Sequence, residues 1–175
     1  MKLALAQIHV EAADLAGNRK RAAEAVESAA EDGADLVVLP ELFTVGYFSF
    51  EAYARTAEGL DGQTVTELQS VAADHDIAVL AGSIVEDLGA SAAAGHDVPA
   101  EEGLANTAVF LDRDGVRRAV YRKHHLFGYR SEESDRLVAG DQLPTVDYGG
   151  FTVGVTTCYD LRFPELYRRL VDDGV

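Results

Sequence analysis

Cys158, the single cysteine of the chain, is the residue best suited to covalent chemistry. It lies in the segment TTCYDLRFPE, between a run typical of a strand and a run typical of a helix. A nucleophile on such a turn is exposed at the end of its strand, and nearby helix amides favour negative charge on the sulfur or on a substrate oxygen. A lone cysteine is more often a small buried hydrophobic residue, so position alone does not establish catalysis.

A thiol nucleophile needs a base, and the sequence offers histidines and carboxylates for this role. His124 and His125 lie beside Lys123 in a polar loop, and no histidine has metal-ligand spacing with another His, Cys or Asp. Glu41 follows Pro40 at the carboxyl end of the apolar run DLVVLP, where α/β sheets place their ligand crevices. We predict apolar neighbours for Glu41, which would raise the pKa of this carboxyl towards the range of a general base.

Strands and helices alternate around these residues, which predicts an α/β layered fold. Residues 86–103 are rich in Ala, Gly, Asp and Glu and predict a surface excursion. The second of two predicted hairpins turns at Gly149 and Gly150 and delivers Cys158. From periodicity and turn residues we predict strands at 2–10, 35–40 and 77–85, helices at 18–32 and 64–75, hairpins at 107–122 and 146–158, and a helix after Pro164.

The composition predicts one globular domain over residues 1–175, since 47% of the 175 residues are apolar. A formal charge of −15 repels nucleic acid and anionic membranes. The sequence contains no apolar run of about 20 residues and no small-residue cleavage site near its start, and a single cysteine forms no internal disulfide. These features predict a cytoplasmic protein.

The acidic composition also resembles that of salt-adapted, halophilic proteins, with 30 acidic residues and only three lysines. Repulsion among surface carboxylates is screened as ionic strength rises. We therefore expect the melting temperature to increase from dilute buffer to molar potassium chloride, measured by differential scanning calorimetry. A flat or falling curve would contradict salt adaptation.

Three segments of the chain resemble the signature segments of the nitrilase superfamily of carbon–nitrogen hydrolases. They are LPELFTVGY from Leu39, YRKHHLFG from Tyr121 and TTCYDLRFPEL from Thr156. The segments occur in the family's order and spacing. The opening LALAQIHV and the segment NTAVFLDRDG around Asn106 also fit, so the resemblance covers essentially the whole chain.

The resemblance implies a role for each matching residue. Glu41 matches the general base, Cys158 the nucleophile, and Lys123 the cation that stabilises the oxyanion. Glu133 matches a second glutamate that supports the lysine, with its neighbour Glu132 as the alternative. The backbone N–H of Tyr159 matches the second oxyanion donor, and Tyr47 lies in a loop that governs substrate specificity.

The resemblance further implies a four-layer α-β-β-α sandwich, whose C-terminal part is missing from residues 1–175. It implies hydrolysis of a small linear amide through a cysteine thioester, with no cofactor or metal, in a homo-oligomer. Nitrile hydrolysis and N-carbamoyl cleavage use the same residues and remain alternatives. A non-catalytic binding module is an alternative of another class, although binding does not require a base, a cation and a thiol together.

Overall fold

The computed structural model describes residues 1–175 as two sheets with helices on their outer faces. No helix is both long and apolar enough to cross a membrane. The strands are β1 (Leu3–Leu5), β2 (Leu36–Val38), β3 (Ala78–Asp87), β4 (Leu104–Leu111), β5 (Arg117–Arg122), β6 (Thr145–Tyr148) and β7 (Phe151–Gly154). The α-helices are α1 (Leu15–Glu31), α2 (Tyr53–Thr56), α3 (Gln63–Asp74), α4 (Leu88–Ala93), α5 (Glu133–Arg136) and α6 (Pro164–Asp172), and short 3₁₀ helices cover Phe50–Ala52 and Cys158–Arg162.

The larger sheet has five strands in the order β1-β2-β3-β4-β5, with β1 to β3 parallel and β4 and β5 antiparallel additions. Helices α1 and α3 cover one face of it. Val26 of α1 and Leu68 of α3 are buried there against Val37, Val79 and neighbouring aliphatic side chains. Because alternate strand residues point to opposite faces, Leu36 lies on the other side of the sheet from Val37.

The hairpin of β6 and β7 packs on that other side. Val146 is buried against Leu36 and Phe110 of the larger sheet. Gly149 and Gly150 both have positive φ, as a two-residue turn of this hand requires, which confirms the predicted hairpin. Helix α6 lies outside the hairpin, with Leu170 so close to Gly154 that a Cβ there would clash. The layers therefore follow the predicted order of helix, sheet, sheet, helix.

The helices begin and end close to their predicted bounds, whereas several strands differ. The first strand ends at Leu5 rather than at Val10. Residues 86–103 were predicted to be a surface excursion, and this prediction was wrong for the first eight of them. There β3 continues to Asp87 and α4 follows, because Glu86 is fully buried and forms an ion pair with Arg122.

Apolar side chains remain exposed at the open edges of the two sheets. Leu3 and Leu5 of β1 are 50% and 75% exposed on the side where the hairpin packs. Strand β7 pairs with β6 alone, and its Phe151 is also exposed. The strand that leads to Cys158 is thus an edge strand in this structure.

Candidate active site

Glu41 is held on a turn that follows β2. The Leu39 N–H donates to the Leu80 carbonyl and the Ser83 N–H to that of Pro40. A bulge in β3 lies between Ala81 and Ile84, and Gly82 within it lets the Leu39 carbonyl approach closer than a Cβ would permit. These contacts extend the β2–β3 pairing beyond the strand and fix the direction in which Glu41 leaves the sheet.

Residues around this turn adopt a constrained backbone. Leu42 has a φ of 48°, in the left-handed region that few residues with a side chain adopt. Its N–H donates to Ser83 Oγ at 3.1 Å. The bulge that carries Ser83 therefore stabilises the turn from the side of the neighbouring strand.

Lys123 lies directly after β5 and is fully buried. Its N–H donates to the Asn106 carbonyl at 2.9 Å, which continues the β4–β5 pairing past the end of β5. The ammonium Nζ donates to Glu41 Oε1 at 2.8 Å and to the two oxygens of Glu133 at 3.0 and 2.9 Å. All three of its protons thus have carboxylate partners.

Glu133 is likewise fully buried at the start of α5. Besides Lys123, it accepts hydrogen bonds from the Phe127 N–H at 2.8 Å and from the Tyr47 hydroxyl at 3.1 Å. The adjacent Glu132 instead forms an exposed ion pair with Arg136. The structure therefore places Glu133, rather than Glu132, beside the lysine.

Asn106 is a member of this cluster to which the sequence analysis gave no role. Its amide donates to Glu41 Oε1 and to Glu133 Oε1, both at 2.9 Å, and its own oxygen accepts from Ser83. The available signal was a single amide within the apolar strand LANTAVFL. A buried amide in a strand interior needs partners, which makes such a residue a candidate for a polar cluster.

Cys158 is the first residue of the 3₁₀ helix that follows β7. Its φ of 48° is again left-handed, so the thiol is held on a strained turn. Thr157 and Asp160 form a reciprocal capping box across this turn. We call the segment Thr157–Arg162 the nucleophile elbow. Cys158 is exposed into a cavity instead of being buried as a core residue.

The charges in the cluster act on the lysine and the thiol in the same direction. Burial by itself lowers the pKa of Lys123, but Glu41 and Glu133 outweigh it and hold that pKa above its usual value. Burial, and then the charge of Glu41, raise the pKa of Cys158. These effects favour the neutral thiol in the resting site. That the helix amides favour negative charge on the sulfur or on a substrate oxygen stays a prediction. Two carboxylates face one ammonium here, so the site carries a surplus negative charge.

The surroundings of Glu41 also differ from the prediction. It was expected among apolar groups, yet its carboxylate contacts the Lys123 ammonium and the Asn106 amide. The reason is tertiary, because both partners come from strands that lie beyond β3. Burial raises the pKa of Tyr47 to about 12, so its hydroxyl remains a donor towards Glu133.

A cavity of about 750 Å³ opens above Cys158. Six of its eight lining residues are hydrophobic, and Glu41 and Arg162 are the charged ones. None of the five histidines lines the cavity. Tyr47 and Tyr159 line it, and both were predicted to bind substrate. The lining residues are Glu41, Tyr47, Phe48, Phe127, Cys158, Tyr159, Leu161 and Arg162.

Known proteins resemble the chain in both sequence and structure. The 2-oxoglutaramate amidase of Paenarthrobacter nicotinovorans is 38% identical, and the match covers 81% of this chain and 47% of that protein. The omega-amidase NIT2 of Homo sapiens is 34% identical, with 94% and 57% covered. The crystal structure of an amidase from Nesterenkonia sp. superposes with a TM-score of 0.79 at 31% identity, over 96% of this chain and 59% of that one.

A second solved structure, Nit3 of Saccharomyces cerevisiae, is described as a member of branch 10 of the nitrilase superfamily. It gives a TM-score of 0.79 at 31% identity and covers 95% of this chain and 58% of that one. The chain spans about half the length of the curated relatives it matches. The family model described as carbon-nitrogen hydrolase matches residues 2–175. On this match, and on the shared fold, the chain belongs to the carbon-nitrogen hydrolase family.

Proposed function

We propose that this protein hydrolyses a small linear amide, with Cys158 as the nucleophile. The observation that carries the proposal is the convergence of three side chains from distant segments. Glu41 and Cys158 line one cavity, and Lys123 donates a hydrogen bond to Glu41. A thiol, a carboxylate base and a fixed cation are the groups that acyl transfer from an amide requires.

We propose a separate task for each oxygen of Glu41. Oε1 is occupied by Lys123 and Asn106, which leaves Oε2 to accept the thiol proton. The thiolate then attacks the amide carbonyl carbon, and the C–N bond breaks as Glu41 returns the proton to the departing amine. A thioester to Cys158 remains. Water, activated by Glu41, cleaves it to a carboxylic acid and restores the thiol.

Lys123 and the Tyr159 N–H are the proposed donors to the oxyanion of the tetrahedral intermediates. Lys123 remains protonated because Glu41 and Glu133 stabilise its charge. The carboxylates of Glu41 and Glu133 hold the ammonium in place, and one of its two contacts with Glu133 would give way to the oxyanion as negative charge develops on the substrate. Glu133 is thus proposed as the residue that positions the cation.

The cavity also favours a particular kind of amide. Phe48, Phe127 and Leu161 provide apolar walls for a short carbon chain, and Arg162, which also lines the cavity, suits a carboxylate on the substrate. Relatives include a 2-oxoglutaramate amidase and omega-amidases, and a Nesterenkonia amidase has been solved with butyramide. We therefore propose linear monoamides as substrates, with those bearing a distal carboxylate preferred over neutral ones.

A substrate panel scored for released ammonia tests this proposal. It should contain 2-oxoglutaramate, butyramide, a nitrile and an N-carbamoyl amino acid of matched length. We expect the highest kcat/KM with the acidic amide. If only the nitrile or only the N-carbamoyl compound is turned over, the proposed amide hydrolysis is wrong and the corresponding alternative function takes its place.

The rate of Cys158 alkylation at different pH values provides a second test. The thiolate is the reactive form, and a raised pKa leaves less thiolate at neutral pH than an ordinary cysteine has. We expect iodoacetamide to react more slowly at pH 7 than with a free cysteine peptide, and to accelerate as pH rises above about 8.5. Glu41→Gln should shift the midpoint down, because it removes the carboxylate charge. A midpoint unaffected by this change would place Glu41 too far away to be the base.

The same proposal includes the setting of the enzyme. We infer that residues 1–175 belong to a single domain, and we infer a homo-oligomer and a cytoplasmic location. The absence of disulfide-forming cysteine pairs and the acidic charge support the location. Exposed Val171 on α6 supports an apolar contact between copies.

A further inference from the structure

Asp160 is a fully buried carboxylate in the nucleophile elbow that the proposed reaction does not use. It accepts four hydrogen bonds. Oδ2 accepts from the Tyr121 hydroxyl at 2.5 Å and from the Thr157 N–H at 2.9 Å. Oδ1 accepts from the N–H of His125 at 3.0 Å and from its ring Nδ1 at 2.8 Å. Four hydrogen bonds to its two oxygens fix the orientation of this carboxylate.

The positions of these donors along the chain show which segments Asp160 connects. Tyr121 and His125 lie two residues before and two residues after Lys123. Thr157 and Asp160 itself lie on either side of Cys158. One carboxylate therefore connects both flanks of the lysine to both flanks of the nucleophile. The His125 ring also stacks on Phe163, just beyond the elbow, with centroids 3.6 Å apart.

Other contacts between the lysine segment and the nucleophile elbow are less directional. Phe127 meets Tyr159 edge to face at 5.0 Å, a contact that tolerates sliding. Hydrogen bonds to a buried carboxylate do not tolerate such sliding, because a lost bond leaves the carboxylate or its donor unpaired in a low-dielectric interior. Burial, and then the Asp160 carboxylate, raise the pKa of Tyr121, so its hydroxyl remains a donor.

We propose that Asp160 is a positioning residue that sets the separation between the Cys158 thiol and the Lys123 ammonium, with Tyr121 and His125 as its anchors. This inference rests on the proposed function, which supplies the reaction to be positioned. Neither Asp160 nor Tyr121 lines the cavity. Their loss should therefore slow the chemical steps more than it weakens substrate binding.

Two variants test the proposal without relying on a single change. Asp160→Asn keeps the size of the side chain but replaces one acceptor oxygen by an NH₂ donor. The two hydrogen bonds that this oxygen accepts are then lost. Tyr121→Phe removes one anchor and leaves the Asp160 side chain unchanged. The matched control is Glu58→Gln, because Glu58 also accepts from a backbone N–H, a hydroxyl and an arginine, at Thr64 and Arg19, outside the site.

We expect kcat for amide hydrolysis to fall about 10- to 100-fold in both variants, since a misplacement near 1 Å has this effect. KM should change by less than about threefold. The midpoint of Cys158 alkylation should fall towards that of an ordinary thiol, because a displaced elbow loses the burial and the Glu41 charge that raise it. Glu58→Gln should lower the melting temperature and leave kcat and the midpoint unchanged.

The readouts separate this inference from the proposed function. If the unsubstituted protein hydrolyses amides and Tyr121→Phe retains its kcat and its alkylation midpoint, the positioning role is overturned and the function stands. If the unsubstituted protein hydrolyses no amide, the function fails and the alkylation midpoint still decides the positioning. If Asp160→Asn does not fold, Tyr121→Phe supplies the answer.

Discussion

Cys158→Ala is expected to abolish amide hydrolysis while leaving the fold intact. The proposed thioester requires the sulfur, and no other residue in the cavity can form it. The side chain faces the cavity rather than the core, so removing Sγ creates no buried void. Ammonia release should fall to background, and the melting temperature should stay within about 1 °C.

Thr152→Ala is a matched control for this experiment. Thr152 lies on β7, which leads to the elbow, and its hydroxyl donates to Asp147 Oδ1 in an exposed hydrogen bond. It should retain full activity. Amide turnover above a trace in Cys158→Ala would show that hydrolysis does not proceed through this thiol, and the covalent mechanism would be wrong.

Lys123→Met should lower kcat by about 10²-fold or more, the usual effect of removing a donor to an oxyanion. Methionine nearly matches the length of lysine and carries no charge. The substitution also leaves Glu41 and Glu133 without their counter-ion. Breaking a buried ion pair from one side destabilises a protein by about 3 to 5 kcal/mol, so stability must be measured together with rate.

The double variant Lys123→Met with Glu133→Gln separates the two effects. Neutralising Glu133 removes one of the uncompensated charges, and we expect the melting temperature to recover in part. Activity should not recover, because the oxyanion donor is still absent. Return of turnover along with stability would mean that Lys123 serves the fold rather than the reaction.

Local patterns in the sequence were sufficient to predict the longer helices, the hairpin and the residues with distinctive chemistry. The spacing of alanine and aliphatic residues predicted α1 and α3 closely, and Gly149-Gly150 predicted the hairpin, because these signals act over a few neighbouring residues. The motifs around Glu41, Lys123 and Cys158 identified the family. Each motif is local, so it can be read without knowledge of the fold.

The groups that meet around those residues are set by tertiary packing. Asn106 reaches Glu41 across the sheet, and Asp160 reaches Tyr121 from a segment 39 residues away. Their partners depend on strand register and on how the hairpin packs, and no short pattern records either. The direction of the Cys158 pKa shift has the same origin, because burial and the charge of Glu41 outweigh Lys123 only once the segments are folded together.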